Sequence, residues 1–200
     1  MNKDVGIYTH TSYSSALANI LAMFRAKSNL FDFVRLPSSP WTKLNVIPAA
    51  GVVAGGWSND NKVFLYSSDG YSVSNPQTGE IEIRNWNQDS EAEGNFSKDN
   101  LEFTIDELGQ TIKVFGLRGG NGNHLTSDSW TLESFHPSLT DQIIGIRNLR
   151  DKTGNTDYWR IFQLVKLTRL EYFALTYGFS PNEKHFGIFG SGGVEIFTRE

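Results

Sequence analysis

Short alternating stretches of apolar and polar residues, separated by turn residues, run along most of the chain. The clearest example is 55–73, where a tryptophan, a polar turn, a strand, a glycine turn and a second strand follow one another. Phe64 and Tyr66 are two residues apart and therefore share one face of a strand. The sequence Ser-Ser-Asp-Gly, which ends at Gly70, is a strong hairpin signal. The stretch predicts two antiparallel strands.

The same arrangement returns along the chain. Counted from Trp57, apolar residues follow at plus seven and plus nine, and a glycine follows at plus thirteen. Phe96 begins a copy with the same spacing, and Phe179 begins one with its glycine at plus fourteen. A fourth copy counted from Phe135 keeps the apolar residue at plus nine and has a longer hairpin loop. The units are thus anchored near 57, 96, 135 and 179, and Phe24 is a candidate anchor for a degenerate first copy.

A period of about 40 residues with one hairpin in each unit is typical of propellers and related radial arrays. A three-stranded sheet cannot bury both of its faces alone, whereas sheets stacked around an axis cover one another. We therefore expect a mainly β fold of repeated antiparallel three-stranded units, in a small propeller-like array of four or five units. The whole chain, 1–200, forms one domain in this interpretation, and a β-sandwich or β-meander is the alternative.

Two segments resemble the repeats of known propellers. The segment 179–184 (FSPNEK) and the later 193–197 (GVEIF) are similar to the "FSPDG…GxVxIW" line of WD-repeat and related propellers, and 57–62 (WSNDNK) is similar too. No copy has the Trp-Asp dipeptide or the Gly-His pair of WD repeats. The resemblance covers about residues 50–198, and it implies an architecture rather than an activity.

The first 50 residues are ambiguous. Leu17, Ile20, Leu21 and Phe24 share a helical face, which predicts a single N-terminal helix over 14–26. If Phe24 anchors a repeat, the same residues form a strand, and both alternatives stay open. The segments 30–36 and 41–47 flank a Pro-Ser-Ser-Pro turn and predict a hairpin.

Charge is unevenly distributed. The chain carries a net charge of −4, yet the stretch from Glu80 to Glu107 holds nine acids and two bases, a sum of −9 + 2 = −7. This acidity coincides with the copy anchored at Phe96, which no strand-like segment precedes. A charge run is often a solvated loop, and the alternative is a docking surface for a basic protein. The candidate partner-binding residues are Asp89, Glu91, Glu93, Asp99, Glu102, Asp106 and Glu107.

No pattern predicts catalysis, a metal site or a cofactor. The chain has no cysteine, and its four histidines show no metal-ligand spacing. The Gly-rich segment 118–123 lacks the strand and helix context of a phosphate-binding loop, so we expect a flexible loop. Trp86, Trp130 and Trp159 are candidates for stacking on sugars, although core packing is the commoner role of tryptophan.

The leading functional interpretation is a non-enzymatic protein-binding domain that masks a basic partner with acidic side chains. This profile is similar in kind to immunity proteins of bacterial toxin–immunity pairs, and such a resemblance implies a nuclease-like basic partner. We expect a cytoplasmic protein that binds neither nucleic acid nor membrane. The alternatives are a carbohydrate-binding small propeller and a scaffold module of a larger assembly.

Overall fold

The computed structural model describes residues 39–86, 91–116, 119–120, 122–135, 142–151, 163–165 and 176–199. The expected helix over 14–26, the candidate anchor Phe24 and the predicted strand over 30–36 lie outside these ranges.

The described residues form thirteen β-strands and two short 3-10 helices. The strands are β1 (Trp41–Pro48), β2 (Val52–Trp57), β3 (Val63–Ser67), β4 (Gly70–Ser74), β5 (Ile81–Trp86), β6 (Glu102–Ile105), β7 (Gln110–Gly116), β8 (Trp130–Phe135), β9 (Ile143–Asn148), β10 (Gln163–Val165), β11 (Thr176–Phe179), β12 (His185–Gly190) and β13 (Gly193–Arg199). The 3-10 helices are Glu91–Asn95 and Asp106–Leu108. No helix in these ranges is both long and apolar enough to cross a membrane.

All strand pairs are antiparallel, and they form three sheets. The strand orders are β1-β13-β12-β11, β10-β9-β8 and β5-β4-β3-β2-β7-β6. The expectation of a mainly β, antiparallel fold is therefore confirmed. The sheets hold four, three and six strands rather than three each, because β7 pairs with β2 and joins two hairpin units in one sheet. The propeller-like array stays a prediction.

The hairpins predicted from glycine lie where expected. Ser67 pairs with Gly70 across a two-residue turn, and Gly190 pairs with Gly193 in the same way. Both Gly70 and Gly193 have positive φ, at 117° and 124°, a backbone conformation that other residues rarely adopt. The apolar residues at plus seven and plus nine are all buried, as their position on one strand face predicted: Phe64, Tyr66, Phe103, Ile105, Phe186 and Ile188.

Four turns share one set of hydrogen bonds, and we call them the hydroxyl turns: 58–62, 97–102, 126–130 and 180–185. In the first, the Ser58 hydroxyl donates to Asp60 Oδ1 at 2.5 Å and accepts the Lys62 backbone N–H at 2.9 Å. The equivalent hydroxyl-to-side-chain bonds are Ser97–Asp99 at 2.6 Å, Thr126–Asp128 at 2.6 Å and Ser180–Asn182 at 2.7 Å. Each turn also places its fourth residue at positive φ: Asn61, Asn100, Ser129 and Glu183.

Three of the hydroxyl turns directly follow the predicted anchors Trp57, Phe96 and Phe179. The fourth follows Leu125, ten residues before the anchor predicted at Phe135, which ends β8. Residues 136–140, which follow Phe135, lie outside the described ranges, so the anchor at Phe135 stays a prediction.

Hydrogen bonds join three of the hydroxyl turns to one another. The backbone N–H of Asn182 donates to Asn61 Oδ1 at 2.8 Å, which joins the turns 180–185 and 58–62. The Ser127 hydroxyl donates to Glu183 Oε2 at 2.6 Å, which joins 126–130 to 180–185. These contacts bring together segments that are far apart in sequence.

The six-stranded sheet is apolar on both faces at its centre. Phe64 and Tyr66 point into one hydrophobic cluster, and Val63 and Leu65 point into another that includes residues of β12 and β13. Three strands separate β4 from β6 in this sheet, yet the ring of Tyr71 on β4 lies 5.1 Å from that of Phe103 on β6. The sheet is therefore curled. The curl brings the acidic hairpin β6–β7 close to β4.

A glycine of the Gly-rich segment packs against a strand, and the flexibility that we expected of this loop stays a prediction. Gly122 lies so close to β11 that a Cβ atom there would be 2.2 Å from the Tyr177 carbonyl oxygen. A Cβ on Gly178 would likewise approach Gly122 Cα to 2.8 Å. The glycines at these two positions therefore permit a close approach of two backbones.

Candidate protein-binding surface

A 3-10 helix precedes Phe96, in the position that a strand occupies before Trp57 and Phe179. It spans Glu91–Asn95, so the expectation that no strand precedes Phe96 is confirmed. The hairpin β6–β7 follows, and together these elements carry the acidic surface, which we define as Glu93, Asp99, Glu102, Asp106 and Glu107. All five residues are exposed. Asp89 lies outside the described residues, as does the side chain of Glu91.

Asp99 is part of a hydroxyl turn. Its Oδ1 accepts the Ser97 hydroxyl at 2.6 Å and the Leu101 backbone N–H at 3.2 Å. These two hydrogen bonds, that of Ser97 first, lower the pKa of the Asp99 carboxyl. The carboxylate therefore stabilises the turn, and a partner would meet it in a fixed orientation.

Asp106 and Glu107 also make hydrogen bonds within the protein. The Asn95 side-chain amide donates to Asp106 Oδ2 at 2.9 Å and to the Thr104 carbonyl oxygen at 3.0 Å, which ties the 3-10 helix to β6. The Tyr71 hydroxyl donates to Glu107 Oε2 at 2.5 Å. Burial first, and then this carboxylate, raises the pKa of Tyr71, so the phenol remains a donor at neutral pH.

Glu93 and Glu102 differ from the other three acids. Their carboxylates make no hydrogen bond and no ion pair with any residue that the structure describes. Both side chains are exposed to solvent. They are therefore the members of the acidic surface that can bind a cationic group without first breaking a contact within the described chain.

An open groove of about 370 Å³ runs along the outer face of β6. Glu102 and Thr104 are two residues apart on β6 and share this face, and Asp106 follows the strand as the first residue of the 3-10 helix Asp106–Leu108. The Thr104 and Thr111 hydroxyls lie 3.1 Å apart. The lining holds two acids and no base: Gly94, Asn95, Phe96, Ser97, Glu102, Thr104, Asp106 and Thr111. We call it the acidic groove.

A second groove of about 550 Å³ adjoins the first, and its charges are balanced. Lys98 and Lys113 contribute to its lining together with Asp99 and Glu102. Lys113 is also the cross-strand partner of Glu102. Negative charge is therefore concentrated on the acidic groove rather than spread over the whole β6–β7 hairpin.

Other acids of the same stretch are engaged elsewhere. Glu82 pairs with Lys62 at 2.7 Å, and this contact lowers the pKa of its carboxyl. Lys62 also pairs with Asp60, at 3.1 Å. The excess of acids counted from the sequence is thus partly compensated by an ion pair at β5, whereas at β6 Lys113 lies opposite Glu102 on the neighbouring strand.

The three tryptophans proposed for sugar stacking divide between surface and core. Trp130 is 7% exposed and packs in a hydrophobic cluster, which is the core role expected of most tryptophans. Trp86 is 61% exposed, but the Arg84 guanidinium lies 4.3 Å over its ring and covers one face. Trp159 lies outside the described residues. Carbohydrate binding at Trp86 stays a prediction.

Sequence reasoning selected the acids but missed the groove. Glu102 and Thr104 are two residues apart, a period-two signal that places both on one strand face, but no sequence signal shows that Asp106 lines the same groove. The pairing of Thr104 with Thr111 follows from the hairpin once its loop is known. Among the described residues, no three His, Cys, Asp or Glu side chains are placed to hold a metal ion.

Comparisons with known proteins return no match: no family model, no curated protein and no solved structure is similar to this chain.

Proposed function

We propose that this chain is a non-enzymatic protein-binding domain of the inhibitor or immunity type, which acts in the cytoplasm. In this role the acidic surface masks a basic partner, such as the nucleic-acid cleft of a nuclease toxin. One observation carries the proposal: the exposed carboxylates of Glu93 and Glu102 form no ion pair with the described residues, and Glu102 lines a groove whose lining contains no base.

The groove suits an extended basic segment. Glu102 and Asp106 line the same groove with Thr104 between them in sequence, so an extended segment with two Lys or Arg side chains can pair with both carboxylates. The threonine hydroxyls of the groove supply neutral donors and acceptors. Charges at the edge of an interface act mainly on the association rate, so binding should weaken with salt.

We also propose that the units stack as a small propeller-like array. The support is local: four turns share one hydrogen-bond set, and three of them lie in contact although they are distant in sequence. Neighbouring positions around an axis are a simple way to bring equivalent turns of successive units together.

The test uses a decapeptide of alternating Arg and Thr as a probe, with a Glu/Thr decapeptide as its counterpart. We expect the full chain to bind the Arg peptide, with an affinity that falls as salt rises, and not to bind the Glu peptide. The double substitution Glu93→Lys/Glu102→Lys should reduce the affinity by about tenfold or more, because it removes two carboxylates that form no ion pair with described residues and adds two cations.

The matched control is Glu80→Lys/Asp69→Lys, which makes the same change in net charge at two exposed residues away from the groove. If this control weakened binding as much as the groove variant, attraction by net charge would explain the result and the acidic surface would be refuted. Equal binding of the wild type and the groove variant would refute it as well.

A further inference from the structure

Strand β5 forms one end of the six-stranded sheet and is exposed at four of its six residues. It pairs with β4 along one edge. In the part of the chain that the structure describes, no strand pairs with its other edge. Unpaired edges present backbone donors and acceptors to another strand, and proteins usually protect them.

Apolar side chains at both ends of β5 are exposed. Trp86 is 61% and Ile81 is 52% exposed, and they are the two most exposed large hydrophobic residues among those described. Through their partners Gly70 and Ser74 on β4, the two residues belong to the same face of the sheet. An edge strand that exposes large apolar side chains is suited to bind a further strand.

The order of side chains along β5 makes the strand complementary to itself. Strand β5 has a bulge at Glu82, because Ile83 pairs with Val73 and Ile81 pairs with Ser74. Counted along the sequence of β5, a two-fold axis through Ile83 places Glu82 of one copy opposite Arg84 of the other, and it does so twice. In this register Trp86 of each copy lies opposite Glu80 of the other. Acid thus meets base on both sides of the axis, which is the relationship that an isologous dimer requires.

The charged side chains are available for this pairing. The Glu82 side chain is 34% exposed beside Lys62, so its carboxylate can accept a second cation. Arg84 is exposed and extends over the Trp86 ring at 4.3 Å. The guanidinium and the indole therefore form one continuous surface on β5.

We propose that β5 is a self-association edge, at which a second copy of this chain pairs antiparallel around a two-fold axis near Ile83. The sheet then continues from one copy into the other, with two reciprocal Glu82–Arg84 pairs at its centre. This proposal is independent of the function proposed for the acidic surface.

Sedimentation equilibrium of the full chain over a range of concentrations tests the proposal. We expect a reversible dimer for the wild type. Glu82→Arg and Arg84→Glu should each raise the dissociation constant by about tenfold or more, because each substitution creates two like-charge pairs at the axis. An equimolar mixture of the two variants should form a heterodimer, since every Arg then faces a Glu.

Two further variants distinguish a specific loss of dimerisation from a general effect of charge and from unfolding. Glu93→Arg makes the same charge change away from β5 and should leave the dimer intact. Trp86→Ala truncates an exposed side chain, so it should keep the fold by circular dichroism and weaken the dimer. A wild type that stays monomeric, or folded Arg84→Glu and Trp86→Ala variants that dimerise like the wild type, would overturn the proposal. A mixture that fails to pair would also overturn it.

Discussion

Arg199 donates two hydrogen bonds to the carboxylate of Asp128, one from each terminal nitrogen, with Nη2 2.9 Å from Oδ1. The same guanidinium donates from Nε to the Glu183 carbonyl oxygen at 3.0 Å and lies 5.0 Å over the Trp41 ring. One residue at the end of β13 therefore holds two hydroxyl turns and β1 together.

This contact predicts a loss of stability in acid. Hydrogen bonding from Arg199 lowers the pKa of Asp128 from 3.8 to about 2. Because the folded pKa lies below the unfolded one, the pair stabilises the fold above about pH 4 and loses its effect as pH falls towards 2. Asp128→Asn should cost up to about 1 kcal/mol at pH 6, since the carboxylate is partly exposed.

Urea unfolding of the wild type and of Asp128→Asn, at steps from pH 6 to pH 2.5, measures this effect. The difference in free energy of unfolding should shrink as pH falls, because the Asp128 carboxyl binds a proton in the unfolded chain, where its pKa is 3.8, before it does so in the folded protein. A difference that stays constant over this range would contradict the assignment.

The hydroxyl turns predict a common cost for removing the hydroxyl. Ser58 is fully buried, and its hydroxyl both donates to Asp60 and accepts the Lys62 N–H. Ser58→Ala should therefore lower the free energy of unfolding by about 1–2 kcal/mol. Ser180→Ala should cost a similar amount, since Ser180 is equally buried and makes the same contacts.

Thermal or urea unfolding checks this, with Ser68→Ala as the control. Ser68 is exposed in the two-residue turn between β3 and β4, and its substitution should change stability by less than about 0.5 kcal/mol. Similar values for the buried and exposed serines would show that the shared hydrogen bonds contribute little.

The close approach of Gly122 to β11 predicts a steric penalty. In Gly122→Ala the new Cβ would be 2.2 Å from a carbonyl oxygen, so one backbone segment must move. We expect a loss of about 1–3 kcal/mol in the free energy of unfolding. Gly94→Ala is the matched control, because a Cβ there meets nothing within 4 Å. If both variants had wild-type stability, the packing of this loop against β11 would be wrong.

Local chemistry explains which features could be predicted from the sequence. Three hydroxyl turns lie directly after the anchors predicted from the sequence, Trp57, Phe96 and Phe179. Each of these anchors precedes a serine that has Asp or Asn two residues later. The fourth turn was missed because Leu125 is aliphatic and threonine replaces serine. Sequence spacing predicted hairpins, but it contains no signal for the pairing of β2 with β7, which joins strands distant in sequence.

The acidic surface could also be predicted only in part. The sequence shows how many acids the stretch contains, but it does not distinguish the acids that stabilise the fold from those available to a partner. Asp99 was recognisable, since it lies two residues after Ser97 as Asp60 does after Ser58. The contact of Glu107 with Tyr71 was not, because it depends on the curl that brings β4 towards β6.

A partly buried ion pair joins β1 to β13. The Lys43 ammonium lies 2.9 Å from Glu195 Oε2, and the Glu195 side chain is fully buried. Removal of the cation alone leaves a buried carboxylate without this partner, so Lys43→Met should lower the free energy of unfolding by about 3 kcal/mol. Replacement of both charges removes that penalty, and Lys43→Met/Glu195→Met should recover most of the loss.

An exposed ion pair provides the control for this cycle. Lys62 pairs with Asp60 and Glu82 at the surface, and Lys62→Met should cost less than about 1 kcal/mol. Urea unfolding of the wild type, Lys43→Met, Glu195→Met and the double variant gives the coupling energy between Lys43 and Glu195. Equal losses for Lys43→Met and Lys62→Met would mean that burial does not strengthen the pair. The attachment of β1 would then depend on the Trp41 side chain, which is fully buried among Trp130, Phe179 and Phe186.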